Sequence, residues 1–278
     1  MPQANNVDPA VVDGFGDEWS HFDQSKLSHK EKSDIFADYF AIFPWDQVSE
    51  NAVGADIGCG SGRWAALVAP RVAVLHCIEP AAQAMAVAKR NLVDHKNCRF
   101  HSGTADDIPL PDDSLDFAYS LGVLHHIPDT AQALRSCVRK LKPGAPFLVY
   151  LYYAMENRPF WFRMLWRFSD VGRRVISSLP RPLARGAAAI LAAGVYLPVS
   201  RIALFGEKLG FNVGNWPLSA YRKRTFYVLA TDSLDRFGTQ LEHRFTRREI
   251  EEMMLNAGLQ NIRFSECEPY WTALGYRT

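Results

Sequence analysis

The stretch Ala55-Asp56-Ile57-Gly58-Cys59-Gly60-Ser61-Gly62-Arg63-Trp64 decides how the rest of the chain is read. An apolar run precedes it (Ala52, Val53, Ala55, Ile57), as at the end of a buried strand, and residues 63–68 read as the first turns of a helix. Between them Gly58, Gly60 and Gly62 allow a sharp turn without side chains, so that a ligand can lie against bare backbone at a helix N-terminus. The spacing excludes a Walker phosphate loop, which needs G-x-x-x-x-G-K-[ST]. A dinucleotide fingerprint needs G-x-G-x-x-G, whereas this loop reads G-x-G-x-G, with Asp56 two residues ahead of its first glycine.

Outward from the loop, strand and helix patterns alternate. Residues 72–78 form a β-branched apolar run that closes at Glu79-Pro80, and residues 81–92 are an alanine-rich helix pattern, which together make a βαβ unit. Glu79 stands seventeen residues beyond Gly62 at a strand end, where a carboxylate can accept bonds from both hydroxyls of a ribose. Residues 98–101 begin a third strand, a loop with Pro109 and Pro111 leads to a fourth over 115–120, and a helix over 130–141 stops at Lys142-Pro143-Gly144 before a fifth strand over 147–152. The alternation then lapses. It returns at Thr246-Arg247-Arg248-Glu249, a capping box with Gly258 as the helix's C-terminal cap, and residues 259–265 and 270–276 supply two last strands. Ahead of the loop, Gly14-Phe15-Gly16-Asp17-Glu18-Trp19 and the helical spacing of Ile35, Phe36, Tyr39, Phe40 and Phe43 read as a helical lead-in ended by Pro44.

The acid before G-x-G-x-G resembles motif I of the class I S-adenosylmethionine (SAM) dependent methyltransferases. Two further segments share the resemblance. Gly103-Thr104-Ala105-Asp106-Asp107-Ile108-Pro109-Leu110-Pro111 is similar to the G-D-A-x-x-L-P-F-P segment of the ubiquinone-type members, and Val123-Leu124-His125-His126 with Asp129 resembles their V-L-H-H-x-x-D segment. The resemblance covers roughly residues 52–152 and 246–276. It implies an α/β fold: a doubly wound, seven-stranded, Rossmann-like sheet whose last strand is antiparallel and slots beside the fifth. The domain plan it implies is an N-terminal helical cap over 1–50, a SAM-binding core over 51–152 completed by 240–278, and a mostly helical insertion over 153–239 that serves as an acceptor lid.

For the cofactor, the resemblance places Asp56 near the amino-acid end of SAM, with Gly58, Cys59 and Gly60 as the backbone loop. Glu79, at the strand end it shares with Pro80, falls on the ribose. Thr104, Ala105 and Asp106 flank the adenine. Thr104 replaces the family's usual acid there, so the amino contact falls to Asp106 or to backbone. Ser120 and Leu121 lie beside the methionine part, and His125 points toward the cleft mouth. The implied activity is methyl transfer from SAM to an oxygen or nitrogen of a small or lipid-linked, acidic acceptor. Two rivals remain, an NAD(P)-dependent oxidoreductase and a non-catalytic SAM-binding protein, since a cofactor loop does not prove turnover.

Methyl transfer needs mainly an aligned nucleophile, and a hydroxyl acceptor gains from a general base. His125 is the first candidate and His243, in Leu241-Glu242-His243-Arg244-Phe245, the second, with His126 structural. Trp19, Tyr152, Tyr153, Tyr221, Arg222 and Arg224 are candidate acceptor-binding residues. The five cysteines form an odd set with no C-x-x-C pair, so neither a disulfide framework nor a metal site is expected, and a reducing cytoplasm fits. The chain opens without a basic, apolar signal segment.

Hydrophobic residues at 48% and charged residues at 22% match ordinary globular usage and argue against disorder. Charge is uneven. Residues 152–230 hold twelve Lys or Arg against three acids, a local +9 that leaves −8 for the rest of a chain of net +1. Within that region the face Trp161, Leu165, Phe168, Gly172, Val175 opposes Arg163, Arg167 and Arg174, the pattern of a basic amphipathic helix. The uncharged run 186–200, interrupted by Gly194 and Pro198, reads as a buried helical hairpin. A membrane-surface contact, a homodimer interface and a pocket for an acidic acceptor built on Arg222, Lys223 and Arg224 are its other readings. The balancing −8 and the lack of a nucleic-acid module argue against RNA or DNA.

Overall fold

The structure is a computed structural model and describes residues 6–278. The opening stretch read for its lack of a secretory signal begins outside the described residues. The chain divides into two compact units. One comprises Ser28–Ala154 and Leu241–Thr278 with the N-terminal segment as far as Gln24, and the other Met155–Gln240 with Ser25–Leu27.

In the first unit, β1 (Val53–Ile57), β2 (Val74–Ile78), β3 (Cys98–His101), β4 (Phe117–Leu121), β5 (Pro146–Tyr150), β6 (Leu259–Phe264) and β7 (Thr272–Arg277) form one sheet, in the order β3-β2-β1-β4-β5-β7-β6. The first five strands are mutually parallel, and β7 runs antiparallel between β5 and β6. Strands covered on both faces read as unbroken apolar runs, and so β4 and β5 bury Phe117, Tyr119, Phe147, Leu148 and Val149 completely. The strand order reverses between β1 and β4. In an open α/β sheet the ligand crevice lies outside the carboxyl ends of the strands at such a reversal, which here means the glycine loop after β1 and the histidine segment after β4.

Helices α1 (Pro9–His21), α2 (His29–Tyr39), α3 (Ala65–Val68), α4 (Ala82–Asn91) and α5 (Thr130–Lys140) complete the first half of this unit. The lead-in helix ends at Tyr39, short of Pro44. Phe40 and Phe43 leave it to pack around Trp45 and edge-on against Tyr119 and Phe117, because an aromatic cluster buries more surface than another helical turn would. Helix α3 is a single turn running into a tight turn at Ala69–Arg71, where Pro70 prevents its continuation.

The second unit holds α6 (Phe160–Ser177), α7 (Arg181–Leu191), α8 (Leu197–Lys208) and α9 (Phe226–Gly238), while the last helix, α10 (Arg247–Asn256), returns to the first unit with the expected Thr246–Glu249 capping box. Residues 186–200 do not make a buried hairpin. Arg181–Lys208 is one continuous helical run, with a π turn at Ala192–Tyr196 joining α7 to α8. Pro198 has no N–H to give the preceding turn, and the wider π turn just before it absorbs the mismatch without breaking the helix. One stripe of the run is buried, Ala184, Ala188, Ala192, Tyr196, Ser200 and Ala203, and Ser233 of α9 donates to the Ala188 carbonyl at 2.9 Å. The apolar face of α6 is exposed: Phe168 is 71% and Val175 59% accessible. What holds α6 down is Arg173, whose guanidinium bonds Asp170 at 2.7 Å and the Thr239 carbonyl at 2.9 Å.

Gly54 in β1 has no room for a side chain, since a methyl group there would overlap the Phe117 ring. Gly54→Ala is expected to destabilise the first unit by about 1–3 kcal/mol in urea unfolding, and the double variant with Phe117→Leu to recover part of that loss.

Candidate cofactor and acceptor site

The glycine loop folds back on the end of β2. Gly58 and Cys59 both donate their N–H to the Ile78 carbonyl, at 2.9 and 3.0 Å, and Gly60 donates to Glu79 Oε2 at 3.0 Å. Glu79 Oε1 accepts from Ala81 at 2.9 Å. Gly58 and Gly60 sit at φ of +77° and +53°, where other residues are strained. A Cβ on Gly58 would meet Val123 at 2.5 Å, and one on Gly60 would meet Trp19 Nε1 at 2.9 Å. The loop is therefore closed from one side by the segment after β4 and from another by α1. The N–H groups of Gly58, Cys59, Gly60 and Gly62 are engaged within the protein, so a ligand at those positions would meet bare backbone surface and the neighbouring carboxylates.

Two acids stand behind the loop. Burial raises Glu79, against the pull of the Ala81 and Gly60 amides. Asp56 is buried, and desolvation lifts it to about 7, with Tyr119 and Arg63 opposing and Glu79 adding to the rise. Among the described residues Asp56 Oδ2 has no hydrogen-bond partner. Arg63 lies 4.0 Å over the Trp64 ring and 5.8 Å from that of Trp19. Ser120 spends its hydroxyl on the Ile57 carbonyl at 2.9 Å, and half-buried Leu121 follows it. On the adenine side of the expected site Ala105 is buried and Thr104 half-buried, while Asp106, raised by burial, has Asn6 and, on α5, Gln132 and Ser136 about it. Asn6 also clasps Asp129, donating to its carbonyl at 2.8 Å and accepting from its N–H at 2.6 Å.

After Gly122, a tight turn at Leu124–His126 carries both histidines inward. His125 is fully buried, so it does not open on the cleft mouth. Its ring stacks on Tyr152 with centroids 3.8 Å apart, and neither ring nitrogen has a hydrogen-bond partner among the described residues. Desolvation holds its pKa well below the ordinary histidine value, helped by the charges of His126, Arg244 and His243, so the ring is neutral. His126 is a strut: its Nδ1 bonds the Leu241 carbonyl at 2.7 Å, and Phe15 of α1 packs 4.9 Å away. His243 joins the group from the returning segment, donating its backbone N–H to the His125 carbonyl at 2.9 Å, and its Nε2 is buried without a partner among the described residues.

The chain passes unnoticed in sequence through a further pair. Glu242 and Arg244 form a 2.6 Å ion pair, and the Arg244 guanidinium lies 4.9 Å over the Tyr152 ring and bonds the Tyr153 carbonyl at 3.3 Å. Alternate positions 242 and 244 flanking His243 were the only sequence signal for it. Tyr153 pairs with Phe245 in a short bridge and packs 5.6 Å from Tyr270. The remaining candidates belong to the second unit. Tyr221 packs on Tyr196, Arg222 and Lys223 are paired with Glu207 at 2.8 and 2.9 Å, and the Arg222 and Arg224 carbonyls accept from Arg201. Arg222 and Lys223, read as anion binders, are thus tied to a local acid that α8 supplies.

Residues 55–149 match the family model described as "Methyltransferase domain". An uncharacterized methyltransferase of Bacillus subtilis is 34% identical over 104 residues, 37% of this chain and 41% of that protein. The ubiquinone biosynthesis O-methyltransferase of Pseudomonas savastanoi pv. phaseolicola is 32% identical over 130 residues, 45% of this chain and 53% of that one. Residues 55–149 thus carry a methyltransferase domain of the class I SAM-dependent type. The fold agrees: a Bacillus halodurans methyltransferase candidate superposes with a TM-score of 0.52 at 14% identity, over 83% of this chain and 71% of that one. A chain of the Haloferax volcanii complex between the Trm112 methyltransferase activator and its methyltransferase candidate gives 0.55 at 16% identity, over 96% of each. The chain spans 41% of the length of the first of these curated relatives.

The methyltransferase core fits the family's cofactor. SAM is cationic at its sulfonium and ammonium, and Asp56 offers a buried carboxylate oxygen with no partner, which a nearby cation would stabilise in its ionised form. The sign follows. Because the folded pKa of Asp56 is raised, its contribution to stability is present in full below about 4 and is lost as pH rises through about 7. A bound cation reverses that trend. The affinity for S-adenosylhomocysteine, which keeps the ammonium, is expected to rise from about pH 6 to about pH 8 with release of a proton, read by calorimetry in buffers of different ionisation enthalpy. Asp56→Asn should abolish the proton release, weaken binding about tenfold, and make the ligand-free protein relatively more stable at the upper pH.

Proposed function

We propose that the protein transfers a methyl group from SAM to an oxygen or nitrogen of a small or lipid-linked acceptor that carries an acidic group. The observation that carries this reading is the pair of buried carboxylates, Asp56 and Glu79, behind a loop whose Gly58, Cys59 and Gly60 amides are already bonded within the protein. A dinucleotide would bring two phosphate charges to two buried acids and to amides already bonded at Gly58, Cys59 and Gly60, whereas a cationic sulfonium cofactor is favoured by the same acids. The similar proteins include a ubiquinone biosynthesis O-methyltransferase and a phosphoethanolamine N-methyltransferase, whose names support the small or lipid-linked class. The +9 charge of residues 152–230 supports an acidic group on it.

SAM supplies a methyl carbon already activated by its sulfonium, and the chain's residues do the rest. Glu79 holds the glycine loop and the ribose, and Asp56 the cationic end. Tyr152 and Tyr153 line the acceptor side, and His243 Nε2 takes the proton from a hydroxyl or amine. Neutral His125 lies beneath, keeping a second cation away from His243 and fixing its backbone through the His125 carbonyl.

Calorimetry separates this from the oxidoreductase reading: S-adenosylhomocysteine is expected to bind at micromolar affinity and NAD or NADP not at all, and the reverse result sinks the proposal. Glu79→Ala should cost about 1.5–3 kcal/mol of that affinity. With labelled SAM and an acceptor, His243→Ala is expected to lower kcat by about a hundredfold or more while leaving cofactor affinity unchanged. A binding-only protein would give no labelled product with any acceptor.

A further inference from the structure

The second unit leaves an apolar surface that its own packing does not use. Phe160, Trp161, Phe168, Val171, Ile190 and Phe205 are each between 51% and 73% exposed. A surface helix of a globular protein turns polar residues outward, and patches larger than a few hundred Å² mark a partner or a membrane. Here the arrangement is inverted on two elements at once. On α6, at about 100° per residue, the exposed residues from Phe160 to Val175 fall in one arc of about 140°, and exposed Arg163, Arg167 and Arg174 run along one border of it. Its packed side carries the polar Arg173 and Ser177. In Arg181–Lys208 the small residues face inward, and the bulky Leu183, Ile190, Ile202 and Phe205 face out. Only 28% of the most apolar window of that helix is buried inside the fold, far less than a core helix would show.

We propose that this face docks the protein on one leaflet of a bilayer that contains anionic lipid, with α6 and the Arg181–Lys208 run lying in the interface. Charge complementarity selects a membrane over a protein partner. Residues 152–230 carry +9, and Arg163, Arg167 and Arg174 border the apolar arc, where long side chains can reach headgroup phosphates while their stems cover acyl chains. The run lies on the bilayer rather than crossing it, although its 28 residues are long enough to cross. Mid-helix Arg201 is fixed to the Arg222 and Arg224 carbonyls at 2.7 and 3.0 Å, and the inner stripe is packed on α9 around Tyr196, Leu229 and Phe237. Crossing would strip those partners and carry a guanidinium into hydrocarbon. The surface belongs to the second unit alone and holds whether or not the core transfers a methyl group.

The test is co-sedimentation of the full chain with vesicles of phosphatidylcholine, with and without phosphatidylglycerol. The protein is expected to bind the anionic vesicles at least about tenfold better than the neutral ones, and less well as salt rises. The triple variant Phe168→Glu, Ile190→Glu, Phe205→Glu should lose about tenfold or more of that binding, with circular dichroism and S-adenosylhomocysteine affinity unchanged. Those two readouts separate lost docking from misfolding and from failure of the cofactor reading. As a second measurement on a near-native chain, brominated lipid should quench tryptophan emission in the parent and distinctly less in Trp161→Phe. Failure to sediment with either vesicle overturns the proposal. So does a parent dimer that the triple variant dissociates and that ignores vesicles, which would make a second copy the occupant.

Discussion

The carboxylate of Glu79 is the tie on which the first unit's chemistry depends. It holds the amides of Gly60 and Ala81 together, so the end of β2 fixes both the loop after β1 and the start of the helix that follows. An ionisable group is costly to bury, and two amide bonds to the charged form are what make the arrangement tolerable. Asp56 lies beside it without such support at Oδ2, and its proton affinity rises accordingly. The pair therefore presents an unfinished electrostatic site. A cation completes it, and an anion makes it worse, which is the physical reason that glycine spacing and ligand class go together here.

The second half of the site is assembled by the returning chain. Tyr152 leaves β5, His125 and His126 follow β4, and residues 241–245 come back from the far side of the insertion to lie against them. Backbone bonds do the joining, His243 to His125 and Phe245 to Tyr152. Side chains then fill the seam: the Glu242–Arg244 pair lies over Tyr152, and the His125 ring is sandwiched without a polar partner of its own. In so dry a setting the neutral imidazole is the stable form, so the histidine that the motif points to is a packing ring of this seam.

The second unit follows a different rule. Its inner contacts use small residues, Ala184, Ala188 and Ala192, and polar anchors such as Arg173, while its bulky apolar residues face outward. Close helix approach needs small side chains, so the packing is sound on its own terms, yet the hydrophobic effect is left unspent on the outer side.

Much of this was legible in the chain. Strand and helix order, the capping box at Thr246 and the acids at 56 and 79 follow from local pattern, because periodicity, glycine spacing and cap chemistry act between residues close in sequence, whereas the doubly wound sheet was implied by the family resemblance. Amphipathicity was visible in α6 and the lack of charge in residues 186–200, but not which way either one faces. A hydrophobic stripe says that a face wants to leave water; only the positions of neighbouring elements say whether a neighbour is there to receive it. The same limit applies to the histidines and arginines. Sequence determined that His125, His243, Arg222 and Lys223 are present near the expected regions, whereas tertiary structure decided that His125 is sealed under Tyr152 and that Arg222 and Lys223 answer to Glu207, since burial and ion pairing are set by residues far apart along the chain.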